Sequence, residues 1–411
     1  MRIALEILFW ASAILIVWTQ LGYGLLIAAL ARILAPAPPA PSTSRERPNI
    51  PHPGADGMST IVATQNEGGL PRVSLIVAAH DEQAVIGAKV ANALALSYPR
   101  ELLELIVACD GCADATVQSA REAGADVVLD LPRGGKIAAQ DAAVERAGGE
   151  IVAFSDANSF WDADALRELV SAFDDPQVGY ACGRVRFVHD AHPASQNGMH
   201  ATNQEGVYWR YEMALRARES RLVSITAGNG AIYATRRDAY MVVDPIMGHD
   251  LSFPFNMVKR GWRAVDVPSA GATEKMVPSI EGEWRRKRRM MSHTWPIVLR
   301  GGMLSPRGYT AGYALMILSH RLLRYLSPFL HALALLANLA LVADGAGTLY
   351  TLTLAPQIAL LAAAALAGAL PARPLLIARY YVLTTASPAA GLWDWLRHGT
   401  DPSWEAAEGT R

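Results

Sequence analysis

The sequence is poor in cysteine and has almost no net charge. Its three cysteines cannot form a disulfide framework, and its formal net charge of −1 gives no basic footprint of a nucleic-acid-binding protein. Cys109 and Cys112 have the spacing of a redox pair, but the Asp and Gly between them suit a loop better. No Gly-x-Gly-x-x-Gly motif follows the first predicted strand, which argues against a dinucleotide-binding site.

Charged side chains are absent from residues 7–31. This run is longer than the roughly 20 residues that a transmembrane helix needs. A cleavable signal peptide is the alternative, but its apolar region would span only about 7–15 residues. Basic residues are more frequent after the run than before it. We therefore expect a retained transmembrane helix in residues 1–34, with the following part of the chain in the cytoplasm.

Proline is concentrated in the segment that follows. Residues 35–70 contain seven prolines between Pro36 and Pro53, with Ser, Thr and Gly around them. Such a composition is extended and cannot bury a core. We interpret residues 35–70 as a linker.

From Pro71 onward, short apolar runs alternate with segments of helical periodicity. Runs that are apolar on both faces are typical of parallel strands covered by helices. The predicted strands are Val73–Ala79, Leu105–Cys109, Val127–Leu129 and Ile151–Phe154. The predicted helices are Val85–Leu96, Thr116–Ala123, Ile137–Ala147 and Ala165–Phe173. This pattern predicts a doubly wound, mostly parallel α/β domain over residues 71–300.

Three of the predicted strands run into acidic residues: Glu82 follows the first, Asp110 the second, and Asp156 with Asn158 the last. Each acid alone could cap a helix. Together they predict an acidic rim at the carboxyl edge of the sheet, which suits a sugar nucleotide with Mg²⁺ or Mn²⁺. The loop before Lys136 offers a cation for a phosphate or for one of these acids.

Later motifs leave alternatives open. Asp250 precedes an apolar helix and could be a cap or a general base, which spacing alone does not decide. Residues 285–289 are five consecutive cations. They suit a basic patch at a membrane surface, a clamp on a diphosphate, or both.

The C-terminal region, residues 301–411, is membrane-like again. Residues 325–343 and 349–370 carry no charge, and basic residues lie before the first run and after the second. They predict a transmembrane hairpin with both ends in the cytoplasm. We interpret the segment before it and residues 374–390 as interfacial, followed by a cytoplasmic tail. The prediction is a multi-pass protein of the plasma membrane.

These motifs, in this order, resemble the membrane-bound glycosyltransferases of family 2, which include cellulose, hyaluronan and poly-N-acetylglucosamine synthases. The resemblance is strong over about residues 71–300 and looser in the C-terminal region. It implies a GT-A fold and inverting transfer of a sugar from a nucleotide sugar, expected to be UDP-linked. The acceptor would be a membrane-associated glycan or a lipid-linked molecule in exopolysaccharide or cell-envelope synthesis. Membrane lipids, but no nucleic acid, would be partners.

The resemblance also implies roles for single residues. Asp250 falls on the family's general base, and Arg286 and Arg289 fall on its diphosphate-binding segment. Asp156 and Asn158 sit where a Mg²⁺ or Mn²⁺ motif is expected. The implied substrate-binding residues are Ala79, Glu82, Asp110, Lys136, Asp156, Gly228, Asn229 and Gly230.

Three departures from the family pattern stand out. Asn158 replaces a second Asp, so that the metal motif loses one charge and should bind metal more weakly. His249 replaces an acid before the base. Arg286 and Met290 replace a Gln and a Trp, which leaves processive and single addition both open. Two alternatives therefore remain: a nonprocessive transferase that adds one sugar to a lipid carrier, and a catalytically inactive sugar-nucleotide-binding protein.

Overall fold

The computed structural model describes residues 1–34, 69–188, 203–275, 279–370 and 372–402, without the side chains of 203–208. The predicted Pro-rich linker, except for its last two residues, lies outside the described residues. So do the last nine residues of the predicted C-terminal tail.

A single mixed sheet organises the described part of the soluble domain. Its strand order is β3-β2-β1-β4-β7-β6-β8-β5. The strands are β1 Val73–Ala79, β2 Leu103–Asp110, β3 Val127–Leu131, β4 Ile151–Asp156, β5 Phe160–Trp161, β6 Val178–Val188, β7 Ile232–Arg236 and β8 Arg263–Lys275. Strands β1 to β4 pair in parallel, and β6 pairs in parallel with β8. Strand β7 is antiparallel to both β4 and β6.

The helices of the described residues fall into three groups along the chain. The N-terminal pair is α1 Arg2–Val17 and α2 Tyr23–Ile33, joined without a break by the π-helical turn Trp18–Gly22. The sheet is accompanied by α3 Ile86–Leu94, α4 Thr116–Glu122, α5 Lys136–Arg146, α6 Ala165–Ser171, α7 Asn203–Leu222 and α8 His249–Lys259. The C-terminal group is α9 Ile280–Leu299, α10 Ala311–Met316, α11 Leu323–Tyr325, α12 Ser327–Ala343, α13 Thr348–Leu366 and α14 Arg373–His398.

The sheet is buried on both faces, as its apolar runs predict. Leu75 and Val107 point into one hydrophobic cluster, whereas the neighbouring Ile76 and Phe154 point into the cluster on the opposite face. This alternation follows from the two-residue period of a strand. Helices therefore cover both faces, and the predicted α/β architecture is confirmed.

The structure adds a feature that the sequence pattern did not indicate. Strand β7 inserts between β4 and β6 in the opposite direction, so the sheet is mixed beyond β4. Stacking of Phe154 on Tyr233, with ring centroids 4.7 Å apart, joins β4 to β7. The inserted strand brings the turn that precedes it close to the end of β4.

Among the residues that the structure describes, two helical stretches are long and apolar enough to cross a membrane: Arg2–Ile33 and Thr348–Leu366. A third candidate consists of Ala311–Tyr325 and Ser327–Ala343, which meet at a bend of 62°. The predicted span 325–343 thus begins at this bend. These helices support membrane association, while the number of crossings and the cytoplasmic orientation stay predictions.

The C-terminal helix is longer than the predicted interfacial segment 374–390. It runs from Arg373 to His398 and packs along α9. Arg288 of α9 binds Asp394 at 2.6 Å, and the indole of Trp295 donates to the carbonyl of Pro388 at 2.8 Å. The basic segment of residues 285–289 is therefore covered on one side by α14.

A buried polar network joins the N-terminal helix to the soluble domain. The hydroxyl of Tyr23 donates to Glu219 on α7 at 2.5 Å, and His320 contacts the same carboxylate at 2.7 Å. The second ring nitrogen of His320 lies 3.0 Å from Glu212. Arg324 also pairs with Glu212. Glu219 is fully buried, so this network is a fixed part of the junction.

Candidate active site

The carboxyl ends of β1, β2 and β4 meet at one edge of the sheet. Ala79 at the end of β1 is paired in register with Cys109 of β2, and Ala78 is paired with Asp156 of β4. Parallel register therefore places Asp110 and Asp156 on either side of β1. This edge is where open α/β sheets bind their ligands.

The end of β1 is tied to the end of β2. His80 contacts the carbonyl oxygen of Asp110 through Nδ1 at 2.7 Å, and the amide of Glu82 donates to Thr116 at 2.7 Å. Ala79 and Glu82 are both buried at this edge. Their predicted contact with the nucleotide stays a prediction.

Asp110 organises the loop that leads into α5. It is only 1% exposed and accepts hydrogen bonds from the amides of Gly134 at 2.6 Å and Gly135 at 3.0 Å. Gly135 has φ +93°, which favours glycine. A Cβ there would also clash with the carbonyl of Pro402 from the C-terminal segment. Asp110 thus positions Lys136, and its role in substrate binding stays a prediction.

Lys136 and Asp156 form an ion pair in the middle of the edge. The Lys136 ammonium also lies beside Gly230. A Cβ atom added to Gly230 would be 3.2 Å from Nζ of Lys136. The charge of Lys136 lowers the pKa of Asp250, although burial has the larger effect and raises it. The structure therefore brings three of the sequence-predicted residues, Asp156, Gly230 and Asp250, together around the cation of Lys136.

Asp250 lies in the first turn of α8, after Gly248. Its carbonyl oxygen accepts from the amide of Gly228 at 2.7 Å, which joins it to the Gly228–Gly230 turn. Burial raises the pKa of the Asp250 carboxyl above its ordinary value. A carboxylate with a raised pKa is a better proton acceptor, as a general base requires.

His249, which the family resemblance places where an acid is expected, lies buried beside Asp250. Burial, together with the charge of Lys136, lowers its pKa to about 3. Its Nδ1 lies 2.8 Å from the hydroxyl of Tyr233, and its ring stacks on Phe253 at 4.0 Å. His249 is only 2% exposed, and its position fixes the start of α8 beside the cleft.

The Gly228–Asn229–Gly230 turn is held by the side chain of Asn229. Its amide nitrogen donates to the carbonyl of Gly183 at 2.8 Å, and its oxygen accepts from the amide of Ile232 at 2.9 Å. A Cβ at Gly228 would overlap the hydroxyl of Tyr180. The turn is thus adjacent to the cleft, while its predicted substrate contacts remain untested.

The two predicted arginines of α9 differ in their surroundings. Arg286 makes a bidentate ion pair with Glu283, at 2.7 and 2.9 Å, and its charge also reaches Glu274. Arg289 is exposed one turn further along, where its charge contributes to lowering the pKa of His293, an effect that burial dominates. Their role toward a diphosphate stays a prediction.

The predicted metal ligands lie in a tight turn after β4. The amide of Ser159 donates to the carbonyl of Asp156 at 3.2 Å, and Asn158 is half-buried between them. One carboxylate and one amide form an oxygen donor set, which suits Mg²⁺ or Mn²⁺. The donor set fits such a cation, provided that Lys136 releases Asp156.

Two ionisable residues beside this turn, Lys89 and Glu274, were not predicted from the sequence. Lys89 of α3 donates to the carbonyl of Ser159 at 2.6 Å, and burial lowers its pKa to about 7. Glu274 of β8 is half-buried, and loss of solvation followed by the charge of Asp156 raises its pKa to about 7. The available signal for Lys89 was a lysine inside the predicted helix Val85–Leu96, whereas no predicted strand contained Glu274.

A solved structure shares this arrangement of elements over nearly the whole chain. The mannosyltransferase PcManGT from Pyrobaculum calidifontis, solved in complex with GDP-Man and Mn²⁺, superposes with a TM-score of 0.65 at 21% identity. The similarity covers 96% of this chain and 98% of that one. At this identity the likeness defines the fold, which is the GT-A fold of nucleotide-sugar-dependent transferases.

The sequence profile of the family described as glycosyltransferase like family 2 matches residues 71–292. The chain belongs to this family, and the prediction of its family and enzyme class is confirmed. The domain predicted over residues 71–300 contains the matched stretch.

Curated relatives match only parts of the chain. The probable glycosyltransferase YdaM of Bacillus subtilis is 23% identical over 249 residues, which are 57% of this chain and 58% of the relative. The beta-monoglucosyldiacylglycerol synthase of Trichormus variabilis is 33% identical over 120 residues, 28% of this chain and 26% of the relative. The chain therefore spans about half, or less, of the length of the relatives that it matches.

Proposed function

We propose that the protein is an inverting glycosyltransferase that moves a sugar from a UDP-linked nucleotide sugar to a membrane-associated acceptor. The acceptor would be a glycan or a lipid-linked molecule in exopolysaccharide or cell-envelope polysaccharide synthesis. The observation that carries the proposal is the convergence of Lys136, Asp156 and Asp250 at the carboxyl edge of a GT-A sheet. Family membership over residues 71–292 supports the reaction class.

Donor binding follows from the charges at this edge. Asp156, with Asn158, would hold Mg²⁺ or Mn²⁺, which when bound supplies positive charge to the diphosphate; PcManGT was solved with Mn²⁺ and GDP-Man. Lys136, once released from Asp156, faces the same phosphates. Arg286 and Arg289 would add charge as the nucleoside diphosphate leaves. Preorganised charge at the leaving group is usually the largest single contribution to catalysis.

Acceptor activation is assigned to Asp250. Its carboxylate takes the proton of an acceptor hydroxyl, and the freed oxygen attacks the anomeric carbon from the face opposite the diphosphate. The new glycosidic bond forms as the bond to the diphosphate breaks, so the configuration inverts. General base catalysis of this kind contributes roughly 10²–10⁴-fold.

A membrane-bound acceptor is supported by the helices on both sides of the domain. The described part of the chain has two to three candidate membrane spans, and Tyr23 of the first contacts Glu219 of the transferase domain. We place the domain on the cytoplasmic side of the plasma membrane. The reason is that basic residues flank the candidate spans on the side that carries the domain.

A second candidate function is single addition to a lipid. Met290 stands where polymerases carry a tryptophan, and it is exposed on α9. Among the curated relatives are beta-monoglucosyldiacylglycerol synthases, whose name denotes a glycolipid product. A nonprocessive transferase to a lipid carrier is consistent with both observations. The remaining alternative, an inactive binding protein, depends on Asn158 alone.

The test is a screen of nucleotide sugars with membranes that contain the protein, with and without Mn²⁺ or Mg²⁺. We expect transfer from one UDP-sugar, stimulated by the cation and lost in Asp250→Asn. A ladder of products on a gel would indicate polymerisation, and one glycolipid band would indicate single addition. Nucleotide-sugar binding without transfer or hydrolysis, together with activity created by Asn158→Asp, would instead identify an inactive binding protein.

A further inference from the structure

Two cavities lie on one side of α7, beside the N-terminal helix. The first, of about 610 Å³, lies between α7 and β6 and includes Trp209 and Met213 in its lining. The second, of about 490 Å³, lies between α7 and α2 and is lined by Leu25, Ala28 and Arg32 among others. Arg218 and Arg221 of α7 line both cavities, so the two are neighbours.

The lining of these cavities is strongly basic. The first also contains Arg184, Arg186 and Arg210. Arg184 pairs with Asp266 at 2.6 Å and Arg186 with Asp162 at 2.5 Å. In contrast, Arg32, Arg210 and Arg218 make no hydrogen bond or ion pair with any residue that the structure describes. Guanidinium groups that share a concave surface without carboxylates favour an anion between them, which they can bind bidentately.

The second cavity lies at the level in the membrane that is expected for lipid headgroups. The uncharged stretch of the N-terminal helix begins at Ile7. With a rise of about 1.5 Å per residue, a hydrocarbon core of about 30 Å is crossed by about 20 residues. The core would therefore end near Leu25, and the next two turns, up to Arg32, would lie at the level of the phosphates.

We propose that this surface binds an anionic phospholipid of the leaflet that faces the transferase domain. The phosphodiester lies between Arg32 and the two arginines that line both cavities, and an acyl chain follows Leu25 and Ala28 along α2. Phosphatidylglycerol fits this chemistry because its headgroup carries no ammonium to compete with the guanidinium groups. The proposal rests on the membrane-spanning part of the proposed function and not on the sugar-transfer chemistry.

A lipid at this position would bridge the membrane helix and the catalytic domain. Helix α7 carries Arg218 on the cavity side, whereas Glu219 on the same helix binds Tyr23 of α2. Both contacts join α2 to α7, one directly and the other through the bound phosphate. The anionic lipid therefore supplies a second contact that holds the transferase domain against the membrane helix.

The experiment measures bound lipid and not activity. The full chain is purified from vesicles of phosphatidylcholine and phosphatidylglycerol, and retained lipid is counted by native mass spectrometry. We expect selective retention of phosphatidylglycerol and about a fivefold loss in Arg32→Gln and in Arg218→Gln, which corresponds to about 1 kcal/mol per cation. Arg218→Lys, which keeps the charge, should retain more lipid than Arg218→Gln. Arg121→Gln, an exposed arginine on α4, serves as the matched control.

Several outcomes would overturn the proposal. They are equal retention of the two phospholipids, an equal loss in Arg121→Gln, displacement of the lipid by millimolar inorganic phosphate, and retention of a polyprenyl phosphate acceptor in place of phosphatidylglycerol. The melting temperature of each variant in detergent verifies its fold. If no nucleotide sugar is used but phosphatidylglycerol is retained through Arg32 and Arg218, the proposed transfer fails and the lipid site stands.

Discussion

Lys136 and Asp156 are bound to each other across the donor edge of the sheet. The lysine begins α5 and the aspartate ends β4, and both side chains are partly exposed, at 22% and 24%. The carboxylate that the proposed metal site needs is therefore already neutralised by an internal cation. Binding of the donor with its metal would exchange one cation for another at Asp156, and would release Lys136 toward the phosphates.

The first prediction concerns Lys136→Met. Removing the ammonium should tighten binding of Mn²⁺ in the absence of donor by about fivefold, because a partly exposed ion pair contributes about 1 kcal/mol. The same change should weaken binding of the nucleotide. Electron paramagnetic resonance of Mn²⁺ and calorimetry with UDP measure the two effects. Weaker Mn²⁺ binding in Lys136→Met would show that the two cations do not compete.

The second prediction concerns Asn158→Asp. A second carboxylate in the turn should raise Mn²⁺ affinity by about an order of magnitude, because affinity for a hard cation increases with the charge of its ligands. Asn158→Ala should lower it. The Mn²⁺ affinities of both variants are measured from the dependence of transfer or hydrolysis on Mn²⁺ concentration at saturating donor. Identical metal dependence in all three proteins would remove residue 158 from the site.

The third prediction concerns Asp250→Asn. Transfer should fall by roughly 10²–10⁴-fold, because the amide cannot accept the proton. Nucleotide binding, measured by calorimetry, should be unchanged. Asp244→Asn, an exposed residue in the preceding loop, is the control and should retain activity. Full transfer in Asp250→Asn would exclude this residue as the base.

The fourth prediction is a pH dependence. Asp250 must be deprotonated to act as a base, so transfer is lost as the pH falls through its pKa. Burial raises that pKa, so the acidic limb of kcat/KM should lie at a higher pH than that of an ordinary aspartate, whose pKa is about 3.9. Because the charge of Lys136 lowers the same pKa, Lys136→Met should move this limb further upward. An acidic limb that stays at the same pH in Lys136→Met would belong to another group than Asp250.

The fifth prediction concerns the junction with the N-terminal helix. Glu219→Ala leaves the buried His320 and the hydroxyl of Tyr23 without their shared partner, and should destabilise the protein by about 3–5 kcal/mol. Thermal unfolding in detergent, followed by light scattering, measures the loss. Glu145→Ala, an exposed acid on α5, is the matched control and should leave the melting temperature unchanged. Equal stability of both variants would mean that the network is energetically neutral.

Local patterns were sufficient to predict the first half of the sheet. The four predicted strands are all observed, because a strand buried on both faces must be largely apolar, as β1 is at every position except Ser74. The acids at their ends share one edge because parallel strands in register must end together. Asp110 and Asp156 can therefore be predicted at this edge from the strand pattern and the parallel register alone.

Contacts between distant segments could not be predicted in the same way. Arg321 and Arg324 precede an uncharged run and suggest a membrane flank, but both lie against Glu212 of α7. Lys89 and Glu274 are far apart in sequence, and burial beside the same turn gives them their shifted pKa values. Which residues pair in such networks depends on tertiary packing. The periodicity of a helix or strand carries no information about that packing.

The hydrogen bond from Tyr23 to Glu219 bears on how the enzyme can be dissected. The Pro-rich stretch looks like a natural place to cut, and a fragment that starts at Pro71 would contain every proposed catalytic residue. That fragment would nevertheless expose the buried carboxylate of Glu219 and the apolar surface that packs on Tyr23 and Ile27. Helix α2 is thus a structural part of the catalytic domain, and a soluble fragment would need a replacement for it.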